Sequence, residues 1–78
     1  MVKQYGNIFR FHRKKSALSQ AQLAEYAGVG KTVIFDIEHN KPTVKLDTLL
    51  KVAEILNIDI CFKSPLMDEY WEKQSEKG

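Results

Sequence analysis

The chain has 78 residues, 44% of them hydrophobic and 28% charged, which is typical of one small globular domain. Its apolar runs are too short to span a membrane, and its N-terminus lacks the apolar core of a signal peptide. Its single cysteine excludes an internal disulfide. We therefore expect a cytoplasmic protein. The net charge is +2, but residues 1–51 carry nine basic and four acidic side chains, whereas residues 52–78 carry three and six.

A first helix is predicted from about Tyr5 to Ala17. It contains a basic cluster of four side chains: Arg10, Arg13, Lys14 and Lys15. Such a cluster either contacts a polyanion such as the DNA backbone or forms a plain solvated face. The cluster alone does not decide between these two interpretations.

A second helix is predicted to begin at Ser19, because Ser19-x-x-Gln22 has the spacing of a capping box. Leu23, Ala24 and Ala27 follow at helical spacing and predict a buried stripe. Gly28 comes directly after the stripe, where a helix commonly ends in a left-handed residue. The sequence therefore predicts a short helix followed by a tight turn.

A third helix is predicted after Gly30, which is a permitted but weak helix cap. At 100° per residue, Val33, Ile34 and Ile37 face inwards. The outer face carries Thr32, Phe35, Asp36 and His39, with Lys31 on its flank. Two short helices joined by a tight turn, the second with a polar outer face, predict a helix-turn-helix that reads the major groove of DNA.

The rest of the chain predicts one more helix, one strand and a tail. Apolar residues recur at helical spacing from Leu46 to Leu56 and predict core. Apolar and more polar side chains alternate along residues 58–63, which predicts a β-strand. Its residues are Ile58, Asp59, Ile60, Cys61, Phe62 and Lys63. A lone strand leaves its backbone groups unpaired, so we expect it to pair with a second copy of the chain. Residues 66–78 form either a short docking helix or a disordered tail.

The chain resembles the Cro/cI-type helix-turn-helix family through residues 11–20, 27–44 and 46–52, and within it the HipB-like antitoxin branch. The resemblance covers about residues 5–67. It implies an all-α, lambda-repressor-like domain of four helices in residues 1–65. It also implies that the C-terminal strand pairs between the subunits of a homodimer, in agreement with the inference from the lone strand.

The resemblance assigns roles to particular positions. Lys31, Thr32 and Asp36 match base-reading positions, and Arg13 with Glu38 matches a pair that ties the first helix to the recognition helix. Phe35 and Asp36 depart from the polar or basic residues usual at these positions. Phe35 could contact a thymine methyl group, and the Asp36 carboxylate could accept a hydrogen bond from a cytosine amine. The residues that we expect to contact DNA phosphates are Gln20, Arg13, Arg10, Lys14, His39 and Lys41.

These patterns predict a sequence-specific repressor that binds a palindromic operator in double-stranded DNA as a homodimer. The HipB-like resemblance implies a second partner, a HipA-like kinase toxin. Two alternatives stay open: a stand-alone helix-turn-helix regulator, and a protein-interaction module that has lost DNA binding, which Asp36 in the reading face would favour. No residues are spaced for catalysis or for a metal site, so we expect neither an enzyme nor a cofactor.

Overall fold

The structure, a computed structural model, describes the backbone of residues 5–77 and the side chains of residues 5–74. In this part of the chain it contains five α-helices: α1 Tyr5–Lys15, α2 Gln20–Ala27, α3 Lys31–Glu38, α4 Leu46–Ile55 and α5 Met67–Lys77. The predicted all-α class is confirmed. Residues 1–4 of the predicted domain and residue 78 of the predicted tail lie outside the described residues. Across residues 5–77, every helix is too short or too polar to cross a membrane.

The α2 cap follows the sequence prediction. The Ser19 hydroxyl accepts the Gln22 amide at 3.0 Å, and the Gln22 side-chain oxygen accepts the Ser19 amide at 2.8 Å. Both halves of the capping box are therefore present, and each satisfies a backbone donor that the helix itself leaves unpaired. Only three residues separate α2 from α3, which fixes the two helices of the motif close together.

Helices α1 to α4 all end in the same hydrogen-bonded turn. After each helix one residue adopts a left-handed conformation, and the next amide bonds back to a carbonyl five residues earlier, as Leu18 does to Arg13 at 3.2 Å and Lys41 to Asp36 at 3.0 Å. The left-handed residues are Ala17, Gly28, Asn40 and Asn57. Helix α1 therefore ends at Lys15, two residues before the predicted end, because Ala17 has a φ of 59°.

The hydrophobic core lies between α2, α3 and α4 and is closed by α1. Its buried members are Phe9, Leu23, Ala24, Ile34, Ile37, Val52, Ala53 and Leu56. Ile34 and Ile37 are each only 1% exposed, as their predicted inward positions require. Burial of each such side chain stabilises the fold by about 1.5–3 kcal/mol, so the inner face of α3 is firmly anchored.

Helix α1 approaches the end of α3 more closely than side chains normally allow. A Cβ atom on Gly6 would lie 2.5 Å from the carbonyl oxygen of Glu38, so only glycine fits there. The Gly6 amide donates to the side-chain oxygen of Asn40 at 2.8 Å. This contact brings the first turn of α1 against the C-terminus of α3.

The C-terminal part of the described chain contains one further helix and no strand. Residues 58–63 form no strand in the single chain, because a strand needs a neighbouring strand to accept and donate its backbone hydrogen bonds. Residues 67–77 are helical, so of the two alternatives left open for the tail the structure shows a helix, the fifth of the described chain. The radius of gyration is 15.0 Å, whereas a compact domain of this length has roughly 11–12 Å. The C-terminal arm, residues 58–77, accordingly extends from the core.

Candidate nucleic-acid interface

The outer face of α3 is open at its N-terminal end. Lys31, Thr32 and Phe35 are exposed there, opposite the buried Ile34 and Ile37. The three exposed residues line one shallow depression together with Gln20, the first residue of α2. The structure thus brings together three of the four predicted base-reading residues with one predicted phosphate ligand.

Asp36, the fourth predicted base-reading residue, lies apart from this depression. Its side chain is 22% exposed and borders a different groove between α3 and the start of α4, together with Val33 and Val44. Its carboxylate lies 3.7 Å from the Lys41 ammonium. The neighbouring cation offsets the negative charge, so Asp36 repels a phosphate backbone less than an isolated carboxylate would.

Phe35 stacks on His39, one helical turn further along. The two ring centroids are 3.9 Å apart and the ring planes are inclined by 23°. The Nδ1 atom of His39 lies 2.8 Å from the carbonyl oxygen of Phe35, which holds the imidazole in place. The Phe35 side chain is nevertheless 48% exposed. The outer face of α3 therefore carries a half-exposed aromatic ring that stacks on a histidine.

Arg13 and Glu38 form a buried ion pair between α1 and α3. The Arg13 Nε and Nη2 atoms donate to the two carboxylate oxygens of Glu38 at 2.6 and 3.1 Å, and Nη1 donates to the carbonyl of Leu18 at 2.9 Å. Gln20 adds a third donor to the carboxylate at 3.2 Å. Arg13 is 9% exposed and Glu38 is 6% exposed. One carboxylate thus links α1, α2 and α3.

The environment of the pair shifts both ionisation equilibria. Burial by itself would raise the pKa of Glu38, but the hydrogen bonds from Arg13 and Gln20 and the positive charge of Arg13 outweigh it, so the pKa is lowered. The hydrogen bond to Glu38 raises the pKa of Arg13 despite its burial. Both groups are therefore held in their charged forms, and the pair that the family resemblance implied is formed.

The predicted phosphate ligands differ in how accessible they are. The Arg13 guanidinium is turned into the domain, and its side chain is 11% exposed, which favours its positioning role over a direct phosphate contact. Gln20 keeps one amide hydrogen beyond the one it gives to Glu38. Exposed cations remain on α1 and after α3: Arg10, Lys14 and Lys41. His39 and Arg10 border a second, polar depression, which shares Gln20 with the depression that Lys31 and Thr32 line.

Sequence reasoning missed Gly6 and Asn40, which set the approach of α1 to the recognition helix. Gly6 had a detectable signal, because a glycine inside a predicted helix costs about 1 kcal/mol and needs a packing reason. Asn40 also had one, since asparagine tolerates the left-handed conformation that commonly ends a helix. Neither signal identifies the partner, because the two residues are 34 positions apart in the chain.

These features define a class of protein. Two short helices meet at a tight turn, and the second is buried on its inner side and open at the start of its outer side. That is the arrangement with which helix-turn-helix proteins place a recognition helix in the major groove. A family profile described as helix-turn-helix matches residues 10–63.

Curated relatives agree with this class. The chain is 38% identical over 60 residues to an uncharacterized HTH-type transcriptional regulator, y4mF, of Sinorhizobium fredii, which covers 77% of this chain and 79% of the relative. It is 39% identical over 51 residues to the control protein C.SmaI of Serratia marcescens, covering 65% of this chain and 61% of that protein. The chain belongs to the helix-turn-helix family of Cro/cI-type transcriptional regulators.

Solved structures with the same fold include HipB complexes. A HipB variant in complex with the O2 20mer matches with a TM-score of 0.73 and 21% identity, over 83% of this chain and 92% of that chain. A chain of the HipA-HipB-O2-O3 complex matches with a TM-score of 0.73 and 20% identity, over 83% and 93%. At this level of identity the likeness establishes the shared fold.

Proposed function

We propose that the protein is a sequence-specific repressor that binds a palindromic operator as a dimer. The observation that carries this proposal is the open N-terminal face of α3, where Lys31, Thr32 and Phe35 surround one depression with Gln20. Residues at this end of a recognition helix meet base edges when the helix enters the major groove. Ile34 and Ile37 anchor the opposite side in the core, so the face is presented rigidly.

The charges around this face suit a polyanion. Arg10 and Lys14 are exposed around the motif, and the two nearby carboxylates are each beside a cation, Glu38 beside Arg13 and Asp36 beside Lys41. The phosphate backbone supplies most of the affinity in such complexes. In this arrangement Lys31, Thr32 and Phe35 contact base edges, Asp36 accepts from a cytosine amine at the margin, and the phosphate ligands are Gln20, Arg10, Lys14, His39 and Lys41.

The C-terminal arm supports the dimer. Residues 58–63 have no regular secondary structure within the single chain, and in this segment Ile60 is 41% exposed and Phe62 is 80% exposed. Pairing with the same segment of a second copy would satisfy its backbone groups and cover these apolar side chains. A two-fold axis through the paired strands would place two copies of α3 about 34–36 Å apart, or at a multiple of this spacing, on one face of the DNA.

The antitoxin role is the finer part of the proposal. We propose that the protein acts as the HipB-like antitoxin of a HipA-type kinase toxin and represses the operon of the pair. The likeness to chains in HipB complexes, one of which contains HipA, supports it. A kinase-like gene beside this gene, and co-purification of its product with the full chain, are the expected findings. Their absence would leave a stand-alone regulator.

The first experiment is selection of binders from a random duplex pool at about 0.15 M salt, where weak non-specific complexes are disfavoured. We expect a palindrome with half-sites one helical turn, or a multiple of it, apart. Recovery of no sequence would overturn DNA reading and favour a protein-interaction module. A non-palindromic site would retain DNA reading but overturn the symmetric dimer.

The dimer has its own measurement, sedimentation at micromolar concentration. We expect a dimer for the full chain and a monomer with retained helix content for Phe62→Glu, because a charge in the paired segment would be buried without a partner. Tyr26→Glu is the matched control, since Tyr26 is 67% exposed on α2, outside the arm. A full-length chain that sediments as a monomer with full helix content would contradict the proposed interface.

A further inference from the structure

Phe35 is the one strongly apolar member of the depression on the reading face. Its neighbours there are Gln20, Lys31 and Thr32, and its ring is half exposed instead of packing into the core. Helical spacing explains why it points outwards, since it follows the buried Ile34 by one residue. If this face meets DNA, an exposed apolar ring at this position gains free energy by contact with an apolar group of the DNA.

His39 restricts the orientation of the Phe35 ring. The imidazole covers one ring face at 3.9 Å between centroids, and its Nδ1 contact with the Phe35 carbonyl at 2.8 Å anchors it one turn further along α3. Residues four apart on a helix are neighbours, so this stack is local and forms with the helix. The Phe35 side chain remains 48% exposed, and the stack restrains its ring before any ligand arrives, which lowers the entropic cost of binding.

The edges of base pairs in the major groove offer hydrogen-bond donors, acceptors and one apolar group, the C5 methyl of thymine. We propose that Phe35 reads a pyrimidine C5 methyl in each half-site, and that His39 is the positioning residue that holds the ring for this contact. The inference rests on the proposed DNA-binding function and specifies part of its sequence preference. Because 5-methylcytosine carries a methyl on the same ring carbon, Phe35 recognises that base as well.

The test removes the methyl and nothing else. In the selected operator, each thymine is replaced in turn by deoxyuridine, which keeps the same hydrogen-bonding groups, and the dissociation constants are compared. We expect one symmetry-related position at which the replacement weakens binding about fourfold per half-site, the ratio that corresponds to ~0.8 kcal/mol for one buried methyl. A second duplex has cytosine at that position, and its conversion to 5-methylcytosine should improve binding by a similar factor.

Substitutions at Phe35 and His39 test whether these two rings cause the loss of affinity when thymine is replaced by deoxyuridine. Phe35→Ala should bring the thymine-to-uracil affinity ratio at that position close to one. His39→Ala should reduce the ratio, and His39→Phe should restore part of it, because phenylalanine can stack on Phe35 but lacks the ring nitrogen that anchors the imidazole and cannot bind phosphate. The ratio separates positioning from any contact of His39 with phosphate, which would weaken both duplexes equally. Tyr26→Ala, an exposed aromatic on α2, is the control and should leave the ratio unchanged.

The results that would overturn methyl recognition differ from those that would overturn the proposed repressor function. An operator that is recovered and bound, but whose thymines can all be replaced by deoxyuridine without loss, overturns methyl reading and leaves the repressor proposal standing. A methyl effect that persists in Phe35→Ala overturns the assignment to Phe35, and one that His39→Ala leaves unchanged overturns the positioning role. Recovery of no operator overturns both proposals together.

Discussion

The side-chain oxygen of Asn40 accepts the backbone amide of Gly6 at 2.8 Å, so the residue that ends the recognition helix also caps the first turn of α1. Asn40 has a φ of 59°, and this left-handed conformation aims its side chain back at α1. The same turn is closed by the bond from the Lys41 amide to the Asp36 carbonyl. One asparagine therefore couples the orientation of α1 to the end of α3.

Two substitutions at this position separate its contributions. Asn40→Gly keeps the left-handed backbone but removes the hydrogen bond, and should cost about 1 kcal/mol. Asn40→Ala removes the bond and adds the strain of a left-handed alanine, for a total of about 2–3 kcal/mol. Urea unfolding followed by circular dichroism measures both. Equal losses for the two variants would mean that backbone strain contributes nothing here.

Gly6→Ala should destabilise the domain by about 2–3 kcal/mol, because the new methyl would overlap the Glu38 carbonyl and force α1 away from α3. A loss of this size lowers the Tm by roughly 8–24 °C in a domain this small. Gly30→Ala is the matched control, since a Cβ there meets nothing within 4 Å. Similar losses of stability for the two variants would show that Gly6 is not required for the close packing of α1 against α3.

Ala17→Gly should stabilise the protein by about 0.5–1 kcal/mol. Ala17 is left-handed at a φ of 59°, where glycine is free of the strain that alanine bears, although glycine also gains freedom in the unfolded chain. Ala21→Gly, the same exchange at an exposed site inside α2, should instead cost about 0.5–1 kcal/mol. Thermal melting of both variants and the parent measures whether stability rises at Ala17 and falls at Ala21. A loss of stability at both sites would show that the left-handed Ala17 is not strained.

Glu38→Ala should cost roughly 3–5 kcal/mol and weaken DNA binding as well, because it leaves the buried Arg13 guanidinium without its partner. Gel-shift titration and thermal melting are the two readouts. If melting stayed unchanged while binding fell, the pair would have no structural role, and Glu38 would have to act at the DNA directly.

The same carboxylate predicts a pH dependence. The pKa of Glu38 is lower in the folded state than its ordinary value near 4.5, so the folded state favours the ionised form. Its contribution is fully present above that ordinary value and is lost as the pH falls through the lower folded value. Unfolding curves from pH 7 to pH 3 should show this loss, and Glu38→Gln, which cannot ionise, should show a shallower decline. Parallel curves would exclude Glu38 as the titrating group.

Lys31→Ala should lose discrimination at one operator position by about 1–3 kcal/mol while leaving other positions unchanged. Lys14→Ala, at an exposed cation on α1, should weaken binding to all sequences and reduce the salt dependence by about one charge. Competition titrations with single-base operator variants at two salt concentrations separate these outcomes. Uniform loss in Lys31→Ala would reassign it to the phosphate backbone.

Local signals predicted most of the helix-turn-helix. The Ser19–Gln22 box, Gly28 and the inward spacing of Ile34 and Ile37 each act within a few residues, and all are found as predicted. The Arg13–Glu38 pair was expected only through family resemblance, since spacing alone does not show which charges meet across 25 residues.

The remaining differences arise from contacts between distant parts of the chain. The orientation of Asp36 depends on Lys41 and on the start of α4, so helical periodicity alone placed it on the reading face with Phe35. Period two in residues 58–63 predicts a strand, but its formation depends on a partner that a single chain does not supply. The polar sequence of α5 contains too few apolar residues to choose between a helix and a disordered tail.

The C-terminal arm carries an intrinsic fluorescent probe. Trp71 is the single tryptophan of the chain, lies on α5, and is 59% exposed beside Tyr70, with ring centroids 4.9 Å apart. Fluorescence excited at the red edge of the absorption band therefore comes from the arm and carries no signal from the DNA-reading helices. A shift of this emission on dilution reports the environment of the arm, while circular dichroism reports helix content, so association and unfolding can be followed separately in one sample without attaching a dye.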